Sequence, residues 1–221
     1  MAEKQEEHRW FASLYDRLLT STERSYMRRI REEIVGGARG RVLELGAGTG
    51  ASFPYYNDHV EQVIATDPDP HMLERARRRA QDLERPIELR QVSAEELPFE
   101  DGSFDTVVST LVMCTVRDPL RALSEVRRVL KPSGELRMYE HVRYDHAFGA
   151  FWQDLITPVW RWFGGGCHPN RDIARLVREA GLEFRHLELS KPVLPIPPMV
   201  FVRPHIMAIA EPRQGRGPAL G

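Results

Sequence analysis

The stretch VLELGAGTG, Val42 to Gly50, constrains the fold more than any other part of the 221-residue chain. Its apolar run through Glu44 and Leu45 reads as a strand, and Gly46, Gly48 and Gly50 read as a tight turn leading into a helix. Backbone without Cβ atoms can approach a ligand closely at such a turn. The same glycines also serve where a helix only has to pack on a sheet, so the turn alone does not decide its use.

The rest of the chain repeats the rhythm. Strands are expected at 41–45, 60–66, 87–92, 104–109 and 135–141, with helices near 50–56, 70–84 and 118–130. Strands alternating with helices predict parallel pairing through right-handed crossovers, hence a doubly wound, Rossmann-like α/β sheet. Upstream, Trp10, Phe11, Leu14, Leu18 and Leu19 recur at helical spacing, and a second helix over 22–35 stops at Gly36-Gly37. Downstream, the aromatic-rich segment 147–163 reads as a helix that Pro158 bends or breaks. A GGGCHPN loop, a helix over 171–180 and strands at 183–189 and 205–210 follow. KPVLPIPPMVFVRP is too proline-rich for a regular element, and the tail from Pro212 has little to bury. The expected organisation is an N-terminal helical lid over 1–37, one α/β domain over 38–211 and a disordered tail over 212–221.

Composition narrows the function classes. A net charge of −1 lacks the electrostatic footprint of a nucleic-acid binder, and the arginine run 75–79 lies among acids as a solvated helix face. No run approaches the ~18 apolar residues of a membrane span, and MAEKQEEHRW is too polar for a secretory signal, so the cytoplasm is the expected location. Cys114 and Cys167 are too far apart in sequence to suggest a disulfide framework or a zinc pattern, and no metal is expected.

Asp67 ends the second strand about twenty residues after the glycines, where a carboxylate can hold both hydroxyls of a ribose. A helix cap is the competing job, for which Asp69 before Pro70 is equally placed. Together, turn and carboxylate favour an adenosine cofactor. Dinucleotide sites use G-x-G-x-x-G and a pyrophosphate at a helix N-terminus. Here the spacing is G-x-G-x-G with Glu44 two residues ahead, and a carboxylate would repel a pyrophosphate but attract a cationic aminoacyl sulfonium. S-adenosylmethionine is therefore the expected cofactor, with S-adenosylhomocysteine as product.

VLELGAGTG, TDPDPHMLERAR, VSAEELPFEDGSFDTVVSTLVMCTV and ALSEVRRVLKPSGELRMYEHV resemble successive signatures of class I S-adenosylmethionine-dependent methyltransferases, in the branch that includes quinone-biosynthesis C-methyltransferases. The resemblance implies a mostly parallel seven-stranded sheet of order 3-2-1-4-5-7-6. It further implies that Gly46, Ala47, Gly48, Thr49 and Gly50 meet the methionine portion and Asp67 the ribose. Pro68 and Met72 would flank the adenine, with Ser93, Ala94 and Glu95 at its edge. Many relatives carry aspartate where Ser93 stands, so Ser93 or Glu95 must replace that contact. Further on, TLVMCTVRDP, MYEHV, FWQDLITPVWRWFGGGCHPNRD and VRPHIMAIA resemble the methyltransferase-like thiol S-methyltransferases of animal membranes and their soluble bacterial relatives. The animal members begin with a hydrophobic anchor for which this sequence shows no counterpart, so attachment to membranes does not carry over.

Methyl transfer is an in-line displacement that needs positioning, a dry pocket and, for a protonated nucleophile, a base. Ligands of open α/β sheets bind at the carboxyl ends of the strands. Those ends bring forward Thr110 beside the cofactor, Met113 and Cys114 as acceptor pocket, and Tyr139, Glu140 and His141. His141 is the expected general base, oriented by Glu140; a histidine at a strand end equally serves packing. Trp152, His168 and His205 are further acceptor-side candidates, and Tyr15 is the lid residue whose hydroxyl could reach the cofactor. Cys167 reads as a small packed residue. The expected activity is methyl transfer to a small, fairly apolar acceptor, with a thiol favoured. Methylation of a lipid or quinone-like compound, with peripheral membrane contact, stays open, as does a non-catalytic cofactor-binding regulatory module. The sequence leaves the oligomeric state undetermined.

Overall fold

The computed structural model describes residues 26–190 and 202–213. It begins with helix α1, Arg28–Ile34, and alternates through β1 Gly40–Leu45, β2 Val60–Thr66, α2 Pro70–Gln81, β3 Ile87–Arg90, β4 Phe104–Thr110, α3 Pro119–Val129 and β5 Leu130–His141. Helices α4, Ala147–Phe163, and α5, Ile173–Glu179, precede β6 Leu182–Ser190 and β7 His205–Pro212. The seven strands form one sheet in the order β3-β2-β1-β4-β5-β7-β6, parallel except where β7 inserts antiparallel to both β5 and β6. Fold class and strand order are those the sequence implies.

Local chemistry sets the helix starts. Asp69, Asp118 and Asp172 each cap a helix by accepting a backbone N–H from His71, Arg121 and Arg175. Proline follows the first two caps at the position where a missing N–H costs nothing. Strand alternation then divides the core. Leu43, Leu45, Ile64, Val107 and Met138 meet α3 and α5 on one face. Val42, Val63, Ala65, Val108 and Tyr139 meet α1 and Ala76 of α2 on the other.

Three expectations need correction. No α-helix forms over 50–56; Phe53–Tyr55 is a single 3₁₀ turn, because Pro54 has no N–H to return to Gly50. Pro158 does not break α4: it faces outward, while Thr157 Oγ1 bonds back to the Gln153 carbonyl at 2.6 Å. Of the aromatics of α4, Phe148, Phe151 and Trp162 are 74%, 61% and 74% exposed, Trp152 and Trp160 are half-buried, and the buried side belongs to Ala150, Gln153 and Thr157. Finally, β7 runs on through Pro212, and Arg213 N–H bonds the Gly181 carbonyl, so the last strand is longer than the 205–210 expected for it. The aromatic N-terminal helix with Tyr15, most of the proline-rich loop and the tail beyond 213 lie outside the described residues.

Candidate active site

The carboxyl ends of β1, β2, β4 and β5 lie side by side, as their registers require: Leu45 beside Thr66 and Ser109, and Thr110 beside Tyr139. After β1 the chain turns through Gly46 and Gly48, with φ of 57° and 56°. The two glycines do different work. A Cβ on Gly46 would lie 2.6 Å from Val112 Cγ2, so this glycine lets the turn pack against the loop after β4. A Cβ on Gly48 would meet nothing nearer than the Gly46 carbonyl at 3.9 Å, so its face is open cradle.

Asp67 closes the cradle. Its Oδ2 accepts from Gly48 N–H and its Oδ1 from Asp69 N–H, both at 2.9 Å. Burial raises its pKa, and these two bonds only partly oppose that. Each oxygen keeps a lone pair for a further donor, the arrangement a vicinal diol fills. Asp69, not Asp67, is the cap of α2.

Glu44 lies beneath the turn, fully enclosed, with Tyr56 Oη–H donating to its Oε2 at 2.8 Å. Burial dominates its protonation and holds its pKa up at about 7, against help from Tyr56, Ser52 and Arg31. A cation placed above it would recover the cost of ionising it. Thr110 supplies another opening, because its buried Oγ1 has no hydrogen-bond partner among the described residues. An open glycine cradle, a carboxylate with spare acceptors, a buried acid awaiting a cation and an unpartnered hydroxyl all suit an adenosyl sulfonium amino acid.

Beside the cradle, Leu111 takes a left-handed φ of 59°, unusual for a branched side chain. Glu140 holds it there. Its Oε1 accepts from Ser109 Oγ at 2.8 Å and Val112 N–H at 2.9 Å, and its Oε2 from Cys114 N–H at 3.3 Å. Its pKa is nevertheless raised, by complete burial. Glu140 therefore builds the loop after β4 and does not orient His141, as the sequence suggested; along β5 the two side chains point to opposite faces. Met113 is also corrected. It is fully buried in the core, and only its carbonyl reaches outward, to Arg171 Nη1.

His141 meets sulfur instead. Its Nδ1 lies 3.5 Å from Cys114 Sγ and 3.7 Å from Cys167 Sγ, and both cysteines are free and buried. Between the two sulfurs, Cys114 is pushed up by Cys167 and by burial, and Cys167 is pulled down by Cys114 and by His141. Spacing along the chain gives no support for this convergence. The one available signal was the placement of GGGCHPN after a helix that returns the chain to the strand ends. On its other side His141 contacts His205, ring centres 4.3 Å apart, and His205 stacks on Tyr139 at 4.7 Å. Burial drives His205 down to about 3, so it is a neutral wall. Tyr139 Oη–H donates to Tyr26 Oη at 3.1 Å, which ties the start of the described chain to this row of rings.

The remaining candidates surround this centre. Pro68 is exposed and Met72 half-buried at the start of α2, flanking Asp67. Ser93 Oγ donates to Glu95 Oε2 at 2.6 Å, while Glu95 Oε1 accepts from Asp118 N–H. The pair is thus already engaged with itself and with the cap of α3, beside buried Ala94. His168 donates its backbone N–H to the Cys114 carbonyl at 2.7 Å, and its buried Nδ1 has no partner among the described residues. Trp152 packs edge-on between Phe148 and Phe151 of α4.

Comparison with known proteins agrees with this geometry. Residues 43–138 match the family described as a methyltransferase domain. The chain is 38% identical over 182 residues to human (Homo sapiens) thiol S-methyltransferase TMT1B, covering 79% of this chain and 72% of that protein. It is 40% identical over 139 residues to phosphatidylethanolamine N-methyltransferase of Cereibacter sphaeroides, covering 62% and 66%. The fold matches that of the N-methyltransferase NodS from Bradyrhizobium japonicum, solved with S-adenosyl-L-homocysteine, with a TM-score of 0.63, 16% identity and coverage of 87% and 88%. No helix among the described residues is long and apolar enough to cross a membrane. The chain belongs to the class I S-adenosylmethionine-dependent methyltransferases and is an enzyme of that family.

Proposed function

We propose that this enzyme methylates the sulfur of a small, fairly apolar thiol. The observation that carries the reading is His141, a half-buried imidazole at the carboxyl end of β5, two strands across the sheet from β1 and its glycine turn, set among sulfurs and neutral rings. A thiol is a poor nucleophile until it loses its proton, and an imidazole is suited to take that proton near neutral pH. The similarity to a thiol S-methyltransferase supports the same acceptor class.

The cofactor supplies an electrophilic methyl on a sulfonium and leaves as S-adenosylhomocysteine. The protein's part is placement. Gly48 and its neighbours Ala47, Thr49 and Gly50 seat the aminoacyl end, Asp67 holds the ribose hydroxyls, and ionised Glu44 offsets positive charge. Pro68 and Met72 flank the base, and Ser93, Ala94 and Glu95 edge it. Thr110 and Cys114 line the approach of the acceptor, with His168, His205 and Trp152 as outer wall. Glu140 positions Cys114 through its backbone and touches neither substrate. The cytoplasm is the compartment that suits reduced cysteines. A second reading, transfer to a lipid-like acceptor at a membrane surface, draws on the exposed apolar stripe of α4 and the similarity to a phosphatidylethanolamine methyltransferase.

The test is His141→Gln assayed with thiols of graded acidity. A base matters most for alkyl thiols, which hold their proton, and least for acidic aryl thiols, which are already thiolates. A rate loss that shrinks as the thiol becomes more acidic supports the assignment. Equal loss across the series removes His141 as base, and absence of turnover with every thiol removes the acceptor class.

A further inference from the structure

Two sulfurs and one imidazole nitrogen, delivered by the loop after β4, the end of β5 and the loop after α4, lie within 4.8 Å of one another. A metal tetrahedron places its ligand atoms at similar separations. With zinc–sulfur bonds of about 2.3 Å and a zinc–nitrogen bond of about 2.0 Å, neighbouring ligands stand roughly 3.5–3.8 Å apart. The Cys114–His141 and Cys167–His141 separations are 3.5 and 3.7 Å.

We propose that Cys114, His141 and Cys167 form a binding site for a zinc-class divalent ion with its fourth position open, and that the ion, by occupying the imidazole, switches off methyl transfer. The second clause rests on the proposed role of His141 as base.

The donor set selects the ion. Two thiolates and an imidazole favour zinc, cadmium or cobalt over magnesium or calcium, which require oxygen. Charge balances as well: both thiols release their protons to solvent on binding, and two thiolates offset the divalent cation within a buried cluster. No oxidation is involved. The ligands are held in advance. Cys114 is fixed by Glu140 on its N–H and by His168 N–H on its carbonyl, and Cys167 N–H bonds the Gly164 carbonyl at 3.1 Å. His141 is anchored by its pairing with His205 across β5 and β7. Supports of this kind around a ligand are what a metal site requires beyond the ligands themselves. An imidazole whose lone pair is given to a metal has none left for the acceptor's proton.

The experiment uses the full chain, reduced with a phosphine, stripped by chelator and titrated with Co²⁺ alone. An intense thiolate-to-cobalt absorption that saturates at about one equivalent and is displaced by Zn²⁺ is expected, as a site with two cysteine ligands gives. In Cys167→Ser the apparent affinity should fall at least about tenfold, with a melting curve to verify folding; Cys114→Ser serves if that variant does not fold. Zn²⁺ should depress thiol methylation by the wild type, and chelator should restore it. Absence of the band in the reduced wild type, or equal affinity in a folded cysteine variant, overturns the site. Stimulation by Zn²⁺ overturns the switch. A normal cobalt band in an enzyme that methylates no thiol would retain the site while removing the thiol reading.

Discussion

Asp67 shows how much one side chain settles. Its carboxylate accepts two backbone N–H groups, one of them from Gly48, and keeps a lone pair on each oxygen for a further donor. Asp67→Ala should weaken binding of S-adenosylhomocysteine by about 1.5–3 kcal/mol, the scale of hydrogen bonds to a charged group and about ten- to a hundredfold in Kd; calorimetry with an unchanged Kd would remove the ribose assignment. Glu44 gives a pH dependence whose sign follows from its burial. Its pKa in the folded protein is about 7, so below that value the carboxyl is neutral and offers a cation nothing, and above it the charge is present. Affinity for S-adenosylmethionine should therefore rise as pH is raised through about 7. Titration calorimetry checks this, and Glu44→Gln should flatten the profile; an equally steep profile in that variant would place the titrating group elsewhere. The glycine spacing, Glu44 and Asp67 were legible in the sequence because each is local to a strand end. Tyr56, which accompanies Glu44, was not, since only the fold brings it beneath the turn.

Elements explain why the acceptor side was harder to read. Strand period places Glu140 and His141 on opposite faces of β5, so adjacent residues cannot share a task. Glu140 faces the loop after β4 and satisfies Ser109, Val112 and Cys114 around the left-handed Leu111. Glu140→Ala should leave three buried donors without a partner and destabilise the fold by several kcal/mol, at about 1–3 kcal/mol for each unsatisfied group before relaxation. Denaturant unfolding checks this, and a loss below about 1 kcal/mol would show that water replaces the carboxylate. A second element-scale feature is Arg137, buried beside Glu135 at 2.8 Å, which donates to the Glu33 and Ile34 carbonyls and so caps α1 from the sheet. Neither contact has a signature along the chain, because each joins residues distant in sequence. Cys114 and Cys167 are the same case: too far apart to suggest a pair, yet joined at His141 once α4 returns the chain to the strand ends.

At the scale of the whole molecule, strand alternation carried the doubly wound α/β class, and the family resemblance carried the strand order. The sheet order follows from the crossovers and from a last strand that inserts antiparallel between β5 and β6. Ligands of such sheets bind in the crevice at the carboxyl ends of the strands, so a fold of this kind and its cofactor are legible together. The acceptor is not, since it depends on loops and on one surface of α4 whose apolar residues face outward. The methylated atom therefore decides which class of acceptor the enzyme serves. Purified enzyme given methyl-labelled S-adenosylmethionine with a small alkyl thiol, an aminophospholipid in vesicles and a quinol decides it by mass spectrometry of the products. Label in a methyl thioether, with S-adenosylhomocysteine formed in equal amount, is the predicted result. Label in the lipid or quinol with none on the thiol would contradict it.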